Sequence, residues 1–280
     1  MIRLGIFGDQ STNPELLERV KTLAETEVVG VYFSGNLIVP EGFPEVSGPI
    51  ELMDISDAIM ILTDKSISSD LIKLILRKSK HLYLRTIPNL DVKEVKELIG
   101  LEKEAGMVTF IYNSFNCLPF FDTFRNNYEK PLLINLRTCF EGVTVKPSHE
   151  MLLLITDLNQ VVQSNYKKLE IFGQNKSRKQ LIVNLRIEYN NGSVINLTIS
   201  QEKSAGHCEI FDHAGSSQFE FETPLNLAHP QLDQEYTAIS NFLRLIQNQD
   251  KKENSFDKLL NGVQIVHEIR ENLRFNGIDF

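Results

Sequence analysis

A chain of 280 residues exceeds the roughly 100–200 residues of an ordinary domain, so two domains with two cores are expected. Hydrophobic residues at 42% and charged residues at 24% suit a soluble globular protein, and no stretch approaches the roughly 20 apolar residues that cross a bilayer. A formal charge of −8 opposes the phosphate attraction that drives nucleic-acid binding, and three widely spaced cysteines (Cys117, Cys139, Cys208) argue against a disulfide framework or a CxxC metal site.

The opening MIRLGIFGD reads as a buried strand, Ile2 to Phe7, and a turn; with no apolar leader or cleavage site, a cytoplasmic protein is expected. Asn13 and Pro14 then supply an N-cap and a first helical residue, and Leu16, Leu17, Val20, Leu23 and Ala24 fall on one helix face. Val28 to Phe33 is the second strand, and Ile50 to Met53 reads as a short third strand or the end of a loop. Ala58 to Leu62 is a continuous apolar run that fits a buried parallel strand. A helix near Ser69 to Lys78, a strand at His81 to Leu84, a helix over Val92 to Ala105 and a strand at Met107 to Ile111 complete a doubly wound domain over residues 1–118.

The texture changes across residues 119–280, which read as an α+β domain with an open, largely antiparallel sheet. A helix carries Met151, Leu152, Leu154, Ile155, Leu158 and Val161. Leu181 to Tyr189 and Val194 to Ile199 flank Asn190, Asn191 and Gly192, a strong hairpin signal. Further strands are expected at Cys208 to Phe211 and Phe219 to Glu222. Two helices close the chain, one with Leu232, Tyr236, Ile239, Leu243 and Ile246 inward, the other starting at Ser255 with Phe256, Leu259, Val263, Val266 and Ile269 inward.

Four stretches, LGIFGDQST, DAIMILTDKS, KHLYLRTIPNLDVKEVKEL and SFDKLLNGVQIVHEI, taken with this order of parts, resemble the glucose-fructose oxidoreductase and inositol dehydrogenase (Gfo/Idh/MocA) family over nearly the whole chain. The resemblance implies a Rossmann domain binding NAD or NADP, and a second domain that lines a sugar-like substrate site and builds dimers, here a homodimer through the C-terminal sheet or a pairing with a hetero-partner. It implies no metal. By family position, cofactor contacts would fall on Gly8, Asp9, Gln10, Ser34, Thr63 and Arg85.

The chain departs from that pattern where the chemistry lies. GxGxxG becomes Gly8, Asp9, Gln10, Ser11, Thr12, Asn13, which puts a carboxylate beside the pyrophosphate position and a bulky amide where bare backbone should approach it. Pro14 removes one free N–H from the helix terminus. The second strand ends in Tyr32, Phe33, Ser34, Gly35, Asn36, with no charge for a ribose or its phosphate, although Ser34 or Asn36 could hydrogen-bond one. The family's EKP aligns with Arg85, Thr86 and Ile87, so its lysine is absent, and the Asp/His dyad falls on Glu150 and Leu154.

Remaining candidates are Arg85 for an anionic ligand at its strand end, Thr86, Tyr112 with Asn113 where the chain leaves the first domain, and Glu150 with Asp157 on one helix face. Each has a plain alternative: a paired arginine, solvated helix carboxylates, packing at a domain edge. Lys65 reads as a loop lysine, and Phe115, Phe120, Phe121 and Phe124 as interdomain core. The expected function is a divergent member of the fold, without standard hydride transfer, serving as a ligand-binding protein or partner subunit. The alternative is an active NAD(P)-dependent sugar or polyol oxidoreductase with altered cofactor contacts.

Overall fold

The computed structural model describes residues 1–35, 38–64, 67–113, 128–139, 147–175, 181–200, 205–221, 232–248 and 255–278. The chain divides into two compact units, Met1–Asn113 with Pro230–Asp257, and Ser114–His229 with Lys258–Phe280. Asn36, Lys65, Glu222 and the four phenylalanines between positions 115 and 124 lie outside the described residues.

In the first unit, β1 (Ile2–Gly8), β2 (Thr26–Phe33), β3 (Ala58–Leu62), β4 (His81–Leu84) and β5 (Thr109–Ile111) form one sheet in the order β2-β1-β3-β4-β5. Every pairing is parallel. All five residues of β3 are buried, which explains their unbroken apolar run: a central parallel strand has no solvent face. A parallel bridge from Val31 to Glu45 adds the trace of a further strand beyond β2. Strand order reverses at β1, so the crevice at the carboxyl ends of β1 and β3 is the switch point where such sheets place ligands.

The helices of this unit start on their sequence signals. Asn13 caps α1 (Pro14–Lys21) by accepting from the Glu15 N–H, and Asp91 with Glu94 forms a capping box at α4 (Val92–Ala105), which stops at Gly106 in the left-handed conformation, φ 64°. Ser68 caps α3 (Ser69–Arg77). Two expectations fail locally. Helix α1 ends at Lys21, so Leu23 and Ala24 lie beyond it, in the turn where Glu25 at φ 61° redirects the chain into β2. The segment expected as a short third strand or the end of a loop is helix α2 (Pro49–Ile55), begun by Pro49 at its first turn and burying Leu52 and Met53.

Helix α6 (Leu232–Gln247), expected in the second domain, packs within the first unit. Its buried stripe is Glu235, Ala238, Ile239, Phe242 and Leu243. Phe242, fully buried, sits 5.7 Å from the Tyr83 ring, which in turn stacks on Phe110 at 5.7 Å. That aromatic contact fixes the helix over β4 and β5.

The second unit is a six-stranded sheet in the order β11-β10-β6-β9-β8-β7. Its strands are β6 (Leu133–Cys139), β7 (Tyr166–Asn175), β8 (Leu181–Tyr189), β9 (Val194–Ser200), β10 (Gly206–Phe211) and β11 (Ser216–Phe221). Pairing is antiparallel except between β6 and β9, so the sheet is mixed. Strands β6 and β7 were not anticipated from sequence. The β8–β9 hairpin turns at Gly192, φ 84°, as Asn-Gly requires. Helix α5 (Pro147–Val162) meets one sheet face through Tyr189, whose hydroxyl donates to Asn159 Oδ1. Helix α7 (Ser255–Phe275) meets the same face where Leu273 packs on Gly173. Asn184, Arg186 and Arg137 stand exposed on the other face.

Candidate functional site

Gly8, Asp9, Gln10, Ser34, Thr63, Arg85 and Thr86 converge at the carboxyl ends of β1 to β4 in the first unit, as their strand positions dictate. What they do there differs from a phosphate site.

Asp9 is 2% exposed and turned inward. Its Oδ1 accepts from the Ser11 N–H at 2.8 Å and the Ser11 hydroxyl at 2.5 Å, while Oδ2 accepts from the Thr63 hydroxyl at 2.7 Å. Ser11 Oγ in turn accepts from the Asp64 N–H at 3.0 Å. The Thr12 hydroxyl accepts from the Asp9 N–H and donates to the Leu62 carbonyl, and the Thr12 N–H returns to the Asp9 carbonyl. With Glu15 N–H held by Asn13, the backbone donors of Asp9, Ser11, Thr12 and Glu15 are all spent inside the turn.

Gly8 also has a local reason to be glycine. A Cβ there would lie 2.4 Å from Phe33 Cε1 and 2.6 Å from Thr12 Oγ1, so the aromatic ring at the end of β2 lies against the turn. Ser34 donates its N–H to the Gly8 carbonyl at 3.0 Å. Gln10 is exposed.

Arg85, considered for an external anion, is 6% exposed and engaged within the unit. Its Nη1 donates to the Ser11 carbonyl at 2.9 Å and lies 3.4 Å from Asp64 Oδ1, and its Nε lies 3.0 Å from Glu235 Oε1. Glu235 on α6 is 1% exposed. Burial pushes its carboxyl up to about 7 against the attraction of Arg85, with Asp64 adding a smaller push in the same direction. Sequence reasoning missed Glu235, because a glutamate on an amphipathic helix is assigned to solvent by default.

Thr86 donates its hydroxyl toward the Thr63 carbonyl at 3.4 Å. Tyr112 is buried just past β5, its N–H donating to the Leu84 carbonyl at 2.8 Å. Glu150 belongs to the second unit, on α5, and is 6% exposed; its Oε2 has no hydrogen-bond partner among the described residues, and burial pushes the carboxyl up to about 7. Asp157, one face along the same helix, is buried too, so neither carboxylate is the solvated group that helix position alone would suggest. Among the described residues no group of three or more His, Cys, Asp or Glu side chains is placed to hold a metal ion, and no helix is long and apolar enough to cross a membrane.

No protein-family model matches the chain, and no curated protein matches it in sequence. Solved structures do. One is a UDP-N-acetylglucosamine 3-dehydrogenase from Acidithiobacillus ferrooxidans, at TM-score 0.73 and 16% identity, covering 96% of this chain and 97% of that one. A second, from Sinorhizobium meliloti 1021 and assigned as a myo-inositol dehydrogenase, matches at TM-score 0.74 and 13% identity over 97% and 98%. A third, GenD2 from gentamicin A biosynthesis in complex with NAD, matches at TM-score 0.73 and 11% identity over 99% and 95%. At such identities the likeness is one of architecture, and the chain has the two-domain fold of dehydrogenases of the glucose-fructose oxidoreductase and inositol dehydrogenase type.

Proposed function

We propose that this protein is a ligand-binding or partner-subunit protein built on the dehydrogenase fold, without hydride transfer. The observation that carries the reading is the internal commitment of the switch-point crevice: the turn N–H groups of Asp9, Ser11, Thr12 and Glu15 are bonded to Thr12, Asp9 and Asn13, and Arg85 is ion-paired with Glu235 and bonded to the Ser11 carbonyl.

NAD or NADP in the extended pose needs free turn N–H groups, a bare backbone approach at the second glycine and a hydroxyl partner at the end of β2. The groups present do not fit it. The Asp9 carboxylate is bonded to the Ser11 N–H, Gln10 replaces the glycine, and the Phe33 ring lies against Gly8. Ser34 keeps a side chain for hydrogen bonding, but its N–H is spent on Gly8.

Acid-base chemistry is equally short of parts. Thr86 stands where the family places its lysine, and a threonine hydroxyl does not carry charge near neutral pH. Leu154, aligned with the family's histidine, is buried apolar core. On α5, Glu150 has a carboxyl raised by burial to about 7, Asp157 is buried beside the same helix face, and Tyr112 is buried. Positioned acid-base groups are worth about 10²–10⁴ in rate, so their loss leaves at best slow chemistry.

A sugar-like small molecule is the ligand class favoured by the fold's solved examples, one of which is a UDP-N-acetylglucosamine dehydrogenase. A homodimer through the exposed face of the second-unit sheet accompanies this reading, supported by exposed Leu133 and Phe172 among its polar residues. Mass in solution tests it. A second reading, an active NAD(P)-dependent oxidoreductase of a sugar or polyol, has in its favour the NAD held by one solved example of the fold.

Turnover separates the two. With NAD or NADP and a panel of polyols and sugars, no change in nicotinamide absorbance above the enzyme-free control is expected. A rate proportional to protein concentration would refute the proposal and select the oxidoreductase.

A further inference from the structure

The turn after β1 is built around an anion that belongs to the chain itself. Three donors from two elements, the Ser11 N–H, the Ser11 hydroxyl and the Thr63 hydroxyl at the end of β3, point at one carboxylate that is 2% exposed. Arg85 closes the arrangement from the Ser11 carbonyl side, and the Asp64 N–H feeds it through Ser11 Oγ. A carboxylate accepting bonds of this kind holds its donors more firmly than a neutral acceptor would. Phe33 and Thr12 fill the space around Gly8, so both the polar and the apolar sides of the turn are completed by side chains of the first unit.

We infer that Asp9 is an intramolecular anion that takes over the role an external oxyanion plays at this turn in dinucleotide-binding sheets, so that the first unit is fully formed without a nucleotide. The inference rests on the reading that no dinucleotide is held here, but it makes a separate claim: the turn requires a negative group, and Asp9 supplies it. Removing the carboxylate therefore opens a site for a small oxyanion rather than merely a gap. The chemical class is set by what is lost, a planar carboxylate with two acceptor oxygens, and formate is the free anion of that shape.

The test compares thermal unfolding of the full chain with its Asp9→Ala and Asp9→Asn variants, in sodium chloride and in sodium formate at equal ionic strength. Asp9→Ala is expected to lose about 5 °C or more in chloride, since buried donors are left without an acceptor, and to regain at least half of that loss in formate. Asp9→Asn, which fills the turn but supplies no charge and only one acceptor oxygen, is expected to be less stable than the wild type in both salts, and both proteins are expected to respond equally and weakly to formate. An Asp9→Ala chain that folds in formate but not in chloride supports the inference equally. It is overturned if Asp9→Ala is as stable as the wild type, if formate raises all three proteins alike, or if Asp9→Ala shows no recovery. Because neither probe nor readout involves a nucleotide, wild-type turnover with NAD would refute the functional reading while this comparison still decides the role of Asp9.

Discussion

Replacing Glu235 with alanine is expected to lower stability by ~3–5 kcal/mol, the usual cost of leaving a buried charge without its partner. The guanidinium of Arg85 would stay almost fully buried with its Nε facing a vacated site 3.0 Å away, while Asp64 at 3.4 Å offers a longer contact to another nitrogen. The double replacement Arg85→Met with Glu235→Leu should lose much less than the two single changes combined, because the desolvation cost disappears together with the attraction. Urea unfolding of the four proteins reads this directly. A Glu235→Ala variant within about 0.5 kcal/mol of the wild type would mean that the pair is not buried as described.

Stability is expected to fall as pH rises from about 4.5 to about 7, and Glu150 provides the second large effect. Its carboxyl, like that of Glu235, is raised from an ordinary 4.5 to about 7 by burial. Between these values the folded chain binds more protons than the unfolded one, so the contribution is fully present below 4.5 and is lost as pH rises through about 7. Glu150→Gln removes the Glu150 share. The variant should match the wild type near pH 4.5 and exceed it by about 2–3 kcal/mol at pH 8, on the scale of 1.36 kcal/mol for each pH unit of displacement. Surface carboxylates held below their ordinary range, such as Asp57 beside Arg3, act with the opposite sign but are weakened by solvent. Denaturant midpoints across pH 4.5–8 check both slope and sign; equal slopes for variant and wild type would show that Glu150 ionises freely in the folded chain.

The sheet of the first unit was legible because its strands are buried on both faces and its helices carry strong caps. β3 and β4 have the bounds expected of them, as does α4, whose start is marked by Asp91 and Glu94 and whose end by Gly106. Strand β6 was missed because its alternation, Ile134 and Leu136 inward against Asn135 and Arg137 outward, is short and follows no clear turn signal. Strand β7 lies at the sheet edge and carries Lys167, Lys168 and Glu170, which mute its pattern. Helix α2 was read as a short strand or the end of a loop because four residues, Ile50 to Met53, are too few to separate a period of two from one of 3.6.

Helix α6 shows the limit more sharply. Of the inward face expected from Leu232, Tyr236, Ile239, Leu243 and Ile246, Ile239 and Leu243 are buried, but the stripe continues through Glu235, Ala238 and Phe242 while Leu232, Tyr236 and Ile246 are half-buried. A pattern that counts only apolar residues finds part of this stripe through Ile239 and Leu243 but leaves out its one buried carboxylate, Glu235. The partner that explains it, Arg85, lies 150 residues earlier and becomes visible only in three dimensions. At the turn, sequence identified Asp9 and Gln10 as obstacles to a diphosphate through charge and bulk. It did not reveal that Asp9 faces inward, where it binds the donors instead of merely repelling the ligand.

The central claim is that the switch-point turn is occupied by the chain's own groups and is closed to an extended dinucleotide. Calorimetric titration of the wild-type protein with NAD and with NADP, each to millimolar concentration, tests it most directly. No saturable heat is the predicted result, and saturable one-to-one binding at micromolar concentration of either nucleotide would contradict it.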